Sequence, residues 1–201
     1  FSIVFQRVET LIIGTALSFF IYIYLHEQLL ANFKPFGGYA NWVTIFRFLL
    51  MLTGGVLLNS WNPVYCFPFF LIALCLDGLD GYLARKLGQT TEFGAYLDME
   101  TDAFFVAFLS TYWYLDGRVG VWILFIGFLR YLYVLTLKLS GLEGKEEKGT
   151  RFAKIIAVLI MSALLAPFVL PEMVYMSMIV LASVLTVYSF GVSFVSRLQS
   201  R

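Results

Sequence analysis

The sequence predicts an all-α integral membrane protein, a polytopic helical bundle of six core transmembrane helices with an extra helix at the N-terminus. Of its 201 residues, 60% are hydrophobic and only 13% are charged, and the mean hydropathy is +0.83. This apolar content exceeds what a soluble domain needs for its core. The formal net charge of +1 is too small for the clustered basic surface that binds nucleic acid, so no nucleic-acid partner is expected.

The apolar residues fall into runs of the length that a helix needs to cross a bilayer, about 20 residues. A leader run lies at Thr10 to Leu30, and the segment "NFKPFGGYAN" ends it with glycine and proline. We therefore expect a leader over residues 1–33, membrane-spanning or interfacial, and a membrane domain over residues 34–201. The six core spans are expected at Asn41–Leu58, Pro63–Lys86, Phe93–Leu115, Val119–Leu139, Arg151–Leu170 and Met173–Arg197.

Basic residues near span ends remain on the cytoplasmic side, so their distribution predicts orientation. Only Arg118, and Arg7 if the leader crosses, fall on the opposite side. The predicted cytoplasmic set is Lys34, Arg47, Arg85, Lys86, Lys138, Lys145, Lys148, Arg151, Lys154, Arg197 and Arg201. The expected location is a bacterial inner membrane, with the polar connections and any site beside them facing the cytoplasm.

Six of the thirteen acidic residues lie within the segment from Leu76 to Asp102. On a helix, Asp77 and Asp80 share one face because they are three residues apart. Asp98 and Asp102, four residues apart, form a second acidic stripe on the next span. A short polar turn joins the two spans, which predicts antiparallel neighbours whose acidic faces converge.

Four converging carboxylates would repel one another and lose hydration, at about 2.5 kcal/mol or more each near the bilayer centre. Oxygen ligands without nearby histidine or cysteine favour hard cations, Mg²⁺ first and Mn²⁺ or Ca²⁺ next. Four negative charges would balance two divalent ions, an arrangement that serves displacement at phosphorus. A structural role in salt bridges is the alternative, but the spans contain few basic partners.

Small residues next to these carboxylates indicate space for a bulky ligand. The set is Gly78, Gly81, Ala84, Gly88 and Gly94. Arg85 adds a forked donor suited to phosphate oxygens.

The whole pattern reads Asp-x2-Asp-Gly-x2-Ala-Arg-x8-Gly-x3-Asp-x3-Asp. It is met by Asp77, Asp80, Gly81, Ala84, Arg85, Gly94, Asp98 and Asp102. The pattern resembles the signature of the CDP-alcohol phosphotransferase family, integral membrane enzymes of phospholipid synthesis. The segment "NWVTIFR" is also similar to the family's Asn-x2-Thr-x2-Arg, although Ala40 stands where relatives often have proline. The resemblance covers about Lys34 to Arg201.

The resemblance implies transfer of a phosphatidyl group from a CDP-linked lipid to an alcohol, with release of CMP. It implies two Mg²⁺ ions, with Mn²⁺ as the alternative, and a homodimer. Asp102 would be the base that takes the acceptor's proton. The implied metal ligands are Asp77, Asp80, Asp98 and Asp102, and the implied CDP contacts are Gly81, Ala84, Arg85, Thr91, Asn41 and Thr44.

Basic residues on the later spans are candidates for binding an anionic acceptor such as glycerol 3-phosphate or inositol phosphate. In relatives, basic residues on the fourth and fifth helices contact an acceptor phosphate, and Arg130 and Lys154 occupy comparable places. Arg151, in the basic cytoplasmic connection, is the third candidate. Arg130 lies mid-span, where a charge is costly unless it faces a polar cavity. Basic residues near span ends can also be orientation signals alone.

Three other functions stay open on the sequence. A CDP-choline or CDP-ethanolamine enzyme of the same family would transfer to diacylglycerol. A membrane prenyltransferase also binds pyrophosphate through magnesium and aspartate, but the Ala-Arg and Gly-x3-Asp spacing does not favour it. A cation transporter would also place carboxylates inside the membrane.

Overall fold

The structure, a computed structural model, describes residues 38–140 and 151–199, apart from the side chains of Asp80, Arg151 and Gln199. The predicted leader helix lies outside these residues. Within the described part, the chain forms six α-helices and no strand. They are α1 Tyr39–Leu57, α2 Pro63–Lys86, α3 Glu92–Leu115, α4 Trp122–Leu139, α5 Arg151–Leu165 and α6 Glu172–Gln199, with a 3₁₀ turn at Ala166–Phe168.

The all-α prediction is confirmed, and each helix begins and ends within a few residues of a predicted core span, once the 3₁₀ turn is added to α5. Among the described residues, four helices are long and apolar enough to cross a membrane: α1, α2, α4 and α6. Helix α3 contains the charged segment, and α5 belongs to a shorter apolar stretch, Phe152–Phe168. The protein is an integral membrane protein made of helices.

The chain divides between Phe108 and Leu109 into two compact units. The described part of the first unit contains α1, α2 and the first two thirds of α3. The second unit contains the end of α3 followed by α4, α5 and α6. The acidic segment lies entirely in the first unit.

The first unit is held together by close packing of α1 on α2 and by a buried aromatic cluster. A Cβ atom added to Gly54 of α1 would lie 3.0 Å from Phe70 Cζ, so glycine lets the two helices approach. The Phe70 ring, fully buried, stacks on Phe108 of α3 with centroids 5.9 Å apart. Phe48 of α1 meets Phe104 of α3 edge-on at 5.2 Å. These contacts tie α3 to both neighbouring helices.

The turns at the α2–α3 end of the first unit are defined by polar contacts. Gly88 ends α2 with φ of 65°, a left-handed conformation that glycine adopts without strain. The Thr91 hydroxyl accepts a hydrogen bond from the Gly94 N–H at 2.9 Å, which caps α3. Gln89 Oε1 accepts from the Tyr39 N–H at 3.0 Å, which ties the start of α1 to the same connection. The connection between the two acidic helices is therefore short and anchored.

In the second unit, Trp113 is fully buried, and its indole N–H donates to the Leu164 carbonyl at 2.8 Å. Its ring meets Phe168 edge-on, with centroids 4.6 Å apart. The Arg118 guanidinium lies 5.1 Å from the indole centroid and donates to the Pro167 carbonyl at 2.5 Å. It also pairs with Asp116 at 2.8 Å. The turn after α3 is thus clamped to the turn after α5.

Candidate active site

The structure brings together three of the four aspartates singled out in the sequence. Asp77 lies on α2, and Asp98 and Asp102 lie one turn apart on α3. One carboxylate oxygen from each of them falls within 4.8 Å of the other two. Their side chains are 22%, 39% and 26% exposed, so the cluster is half-buried. The side chain of Asp80 is not among those described, and its part in the cluster stays a prediction.

Arg47 is the residue that sequence reasoning missed. Its Nη2 donates to Asp77 Oδ1 at 2.6 Å and to Asp102 Oδ1 at 2.7 Å, and its Nη1 donates to Asp98 Oδ1 at 2.7 Å. The sequence counted this arginine among the orientation signals at span ends. It instead lies near the middle of α1 and pairs with all three carboxylates.

Arg47 is buried, with 1% of its side chain exposed, while its three partners are partly exposed. Its Nε donates to the Ala73 carbonyl on α2 at 3.1 Å, which fixes the plane of the guanidinium. The sequence offered one signal for this role, since Arg47 is the charged end of the "NWVTIFR" segment. The expectation that the carboxylates would find few basic partners was therefore incomplete.

The donor set fits a divalent cation. Three carboxylates provide hard oxygen ligands of the type that Mg²⁺, Mn²⁺ and Ca²⁺ prefer. Three negative charges and the one positive charge of Arg47 leave a net charge of minus two, which one divalent cation would neutralise. The cluster can therefore hold a divalent cation on its more exposed side, and the identity of that ion is taken up below.

The small residues near the cluster separate into two kinds. A Cβ atom on Gly78 would meet nothing within 4 Å, and one on Gly81 would meet only the flexible end of Arg85, at 3.3 Å. A Cβ atom on Gly94 would instead lie 2.6 Å from Asn41 Oδ1. The first two glycines border open space, as the sequence predicts for a bulky ligand. Gly94 is required by the approach of α1 to α3.

The remaining predicted CDP contacts have contrasting surroundings. Asn41 and Thr44 are 3% and 2% exposed, and the Thr44 hydroxyl donates to the Ala40 carbonyl within α1. Thr91 caps α3, as described above. Arg85 is exposed on α2, and its guanidinium lies close to Gly81. Arg85 is thus accessible to a ligand, whereas Asn41 and Thr44 are enclosed.

The predicted acceptor residues belong to the second unit. Arg130 is half-buried on α4, and Lys154 is exposed on α5. The side chain of Arg151 is not described, and Lys145 and Lys148 lie in the undescribed segment 141–150. Binding of an acceptor by these residues stays a prediction.

The helices and the carboxylate cluster define a membrane protein with a half-buried acidic site that fits a hard cation and lies beside Gly78 and Gly81. A family model described as CDP-alcohol phosphatidyltransferase matches residues 38–189, which is more than half of the chain. The chain belongs to the CDP-alcohol phosphatidyltransferase family. The resemblance seen in the sequence is confirmed.

Curated relatives match over shorter segments. A CDP-diacylglycerol–inositol 3-phosphatidyltransferase of Schizosaccharomyces pombe is 56% identical over 43 residues, which cover 21% of this chain and 18% of the relative. A CDP-diacylglycerol–glycerol-3-phosphate 3-phosphatidyltransferase of Yersinia enterocolitica is 41% identical over 70 residues, covering 33% of this chain and 38% of the relative. The enzyme of the same name from Sodalis glossinidius is 39% identical over the same shares. The chain thus matches less than two fifths of the length of each relative, and no solved structure matches it.

Proposed function

We propose that this protein transfers a phosphatidyl group from a CDP-linked lipid to an alcohol acceptor and releases CMP. The observation that carries the proposal is the cluster of Asp77, Asp98 and Asp102 in a chain of the CDP-alcohol phosphatidyltransferase family. The relatives named above transfer from CDP-diacylglycerol, which makes that lipid the first donor to test.

The proposed metal ligands are Asp77, Asp80, Asp98 and Asp102, with two Mg²⁺ ions as the expected cofactor and Mn²⁺ as the alternative. The oxygen-only donor set and the net negative charge of the cluster support divalent cations. When bound, such ions would neutralise charge on the pyrophosphate of the donor and on the departing CMP.

In the proposed reaction, the acceptor hydroxyl oxygen attacks the phosphorus attached to the lipid, and the bond from that phosphorus to the CMP oxygen breaks. Asp102 takes the proton of the hydroxyl, and CMP leaves with the bonding electron pair. Asp102 is 26% exposed, so a substrate can approach it. General-base catalysis of this kind contributes roughly 10²-fold to 10⁴-fold.

The CDP part of the donor would lie along the face of α2 that carries Gly81, Ala84 and Arg85. The open space beside Gly78 and Gly81 supports this placement. Arg85 would donate to phosphate oxygens. Thr91, Asn41 and Thr44 complete the proposed CDP set. Because Asn41 and Thr44 are enclosed, their contribution would come through the position of α1 unless the side chains move.

The proposed acceptor is a polyol or its phosphate, with glycerol 3-phosphate and inositol phosphate as the leading candidates. The names of the relatives include glycerol 3-phosphate and inositol as acceptors. Arg130, Arg151 and Lys154 would bind an acceptor phosphate.

The wider proposal concerns assembly, location and domain organisation. It includes a homodimer in a bacterial inner membrane, with an active site that faces the cytoplasm. It also includes a leader over residues 1–33 that precedes the catalytic domain, residues 34–201.

CMP release from CDP-diacylglycerol by the purified protein with Mg²⁺ tests the proposal. The acceptors compared are glycerol 3-phosphate, inositol phosphate, inositol and serine. Release that depends on one acceptor is expected, and Asp102→Asn is expected to reduce it by 10²-fold or more. Asp116→Asn is the matched control, because Asp116 lies at the turn after α3 and pairs with Arg118 outside the cluster.

Failure of every acceptor, with metal-dependent binding of CDP-diacylglycerol retained, would contradict the polyol acceptor and leave the donor site standing. Turnover of CDP-choline with diacylglycerol would favour the alternative enzyme of the same family. Membership of a transferase family does not favour the cation-transporter hypothesis. Ion flux through the protein without CMP release would be the observation that supports that hypothesis.

A further inference from the structure

We infer that Arg47 is a positioning residue of this site: its guanidinium holds Asp77, Asp98 and Asp102 from the buried side and thereby orients them toward a divalent cation. The inference rests on the proposed function, because it concerns the same metal site. It assigns a role to a residue that the acidic pattern does not include.

The geometry places Arg47 beneath the carboxylates. One oxygen of each aspartate accepts from the guanidinium, at 2.6 to 2.7 Å. The arginine is 1% exposed, whereas its partners are 22% to 39% exposed. The contacts with Arg47 are therefore on the inner side of the cluster, and the side open to ligands is the outer one.

The guanidinium is itself fixed. Its Nε donates to the Ala73 carbonyl, one turn before Asp77 on α2. Arg47 thus joins α1 to the α2 backbone, to one carboxylate of α2 and to two of α3. A planar group with five fixed donors can make these contacts at once, whereas a lysine ammonium cannot reproduce the fork.

Charge gives the reason for such a contact. Three carboxylates this close repel one another, and without a cation between them the helices that carry them would be pushed apart. Arginine stays protonated at any physiological pH, so it supplies that cation permanently. The cluster is consequently kept assembled in the absence of metal, and binding of metal needs little rearrangement.

Two opposing effects follow when Arg47 is replaced. Loss of its positive charge would strengthen the attraction between the cluster and a divalent cation. Loss of its hydrogen bonds would release the carboxylates from their common orientation, and groups that orient metal ligands are typically worth 10-fold to 100-fold in metal affinity. If positioning is the role of Arg47, the second effect is the larger one, and metal affinity falls.

The test is Mn²⁺ binding to the purified full chain, measured by electron paramagnetic resonance without any substrate. Arg47→Met is expected to bind Mn²⁺ 10-fold to 100-fold more weakly than wild type. Arg47→Lys, which keeps the charge and loses the fork, is expected to lie between the two. Arg118→Met is the matched control, because Arg118 also pairs with an aspartate but lies outside the cluster, and its Mn²⁺ affinity should equal that of wild type.

An unchanged or higher Mn²⁺ affinity in Arg47→Met would overturn the inference, since Arg47 would then be only a structural or competing charge. If that variant does not fold, Arg47→Lys decides the matter, and wild-type affinity in it would overturn the inference equally. Failure of wild type itself to bind Mn²⁺ would overturn the proposed metal site and the inference together. Binding by wild type with no change in the variants overturns the inference alone.

Discussion

At the scale of single residues, the site depends on the buried contact that each acidic side chain makes as well as on the acidic side chains themselves. The aspartates could be identified from their spacing, because residues three or four apart share a helix face. Arg47 could not, since an arginine in an apolar span predicts a polar contact without naming its partners. Those partners lie 30, 51 and 55 residues away along the chain, and only the tertiary fold brings them together.

The glycines provide a residue-scale prediction. Gly94→Ala is expected to destabilise the protein by about 1–3 kcal/mol, because the new methyl would lie 2.6 Å from Asn41 Oδ1. Gly78→Ala is the matched control within α2. It meets open space and should leave stability unchanged or raise it by up to about 1 kcal/mol through helix propensity. Thermal unfolding in detergent measures both, and equal midpoints for the two variants would contradict the prediction.

At the scale of helices, sequence periodicity and hydropathy predict where each helix lies but not how helices are joined. The ends of α2 and α3 follow from local chemistry: Asn62 caps α2 by accepting from the Val64 N–H at 3.1 Å, and Thr91 caps α3. Trp113 lies in an apolar run, a position that suits lipid contact as well as burial. The structure buries it fully and bonds its indole to α5. A tryptophan in an apolar run can suit either place, so composition could not distinguish them.

Trp113 provides the prediction at this scale. Trp113→Phe should cost about 1–3 kcal/mol of stability, because the Leu164 carbonyl loses its donor and the site loses ring volume. Trp122→Phe is the control, since Trp122 is 40% exposed at the start of α4. Chemical denaturation followed by tryptophan fluorescence or by circular dichroism compares the two. A larger loss of stability in Trp122→Phe would show that the contacts of Trp113 with Leu164 and Phe168 contribute little to stability.

At the scale of the whole molecule, the sequence predicts an all-α membrane protein because apolar runs of bilayer length leave few other folds open. The convergence of α2 and α3 follows from the short connection between them. The relation of the basic residues on α4 and α5 to the aspartates does not follow from sequence spacing, because no periodicity relates a residue on one span to a residue several spans later.

Orientation gives the prediction at this scale. With Cys66→Ala and Cys75→Ser as background, Thr90→Cys in the α2–α3 connection should react with an impermeant maleimide only from the cytoplasmic side. Ser60→Cys, in the turn between α1 and α2, should react only from the other side. Both residues are exposed outside the helices. Labelling of both positions from the same side would contradict helix α2 crossing the membrane.

The position of Arg47 also bears on how the protein is made. A charged arginine near the middle of a 19-residue apolar helix costs about 2.5–3.5 kcal/mol on insertion into the bilayer. When α1 first reaches the membrane, none of the three aspartates that later compensate this charge lies beside it there, because each is at least 30 residues downstream in the chain. We therefore expect α1 to remain beside the translocation machinery, or to insert with low efficiency, until α2 and α3 follow. Among the described helices of the first unit, we therefore expect α1, α2 and α3 to enter the membrane together.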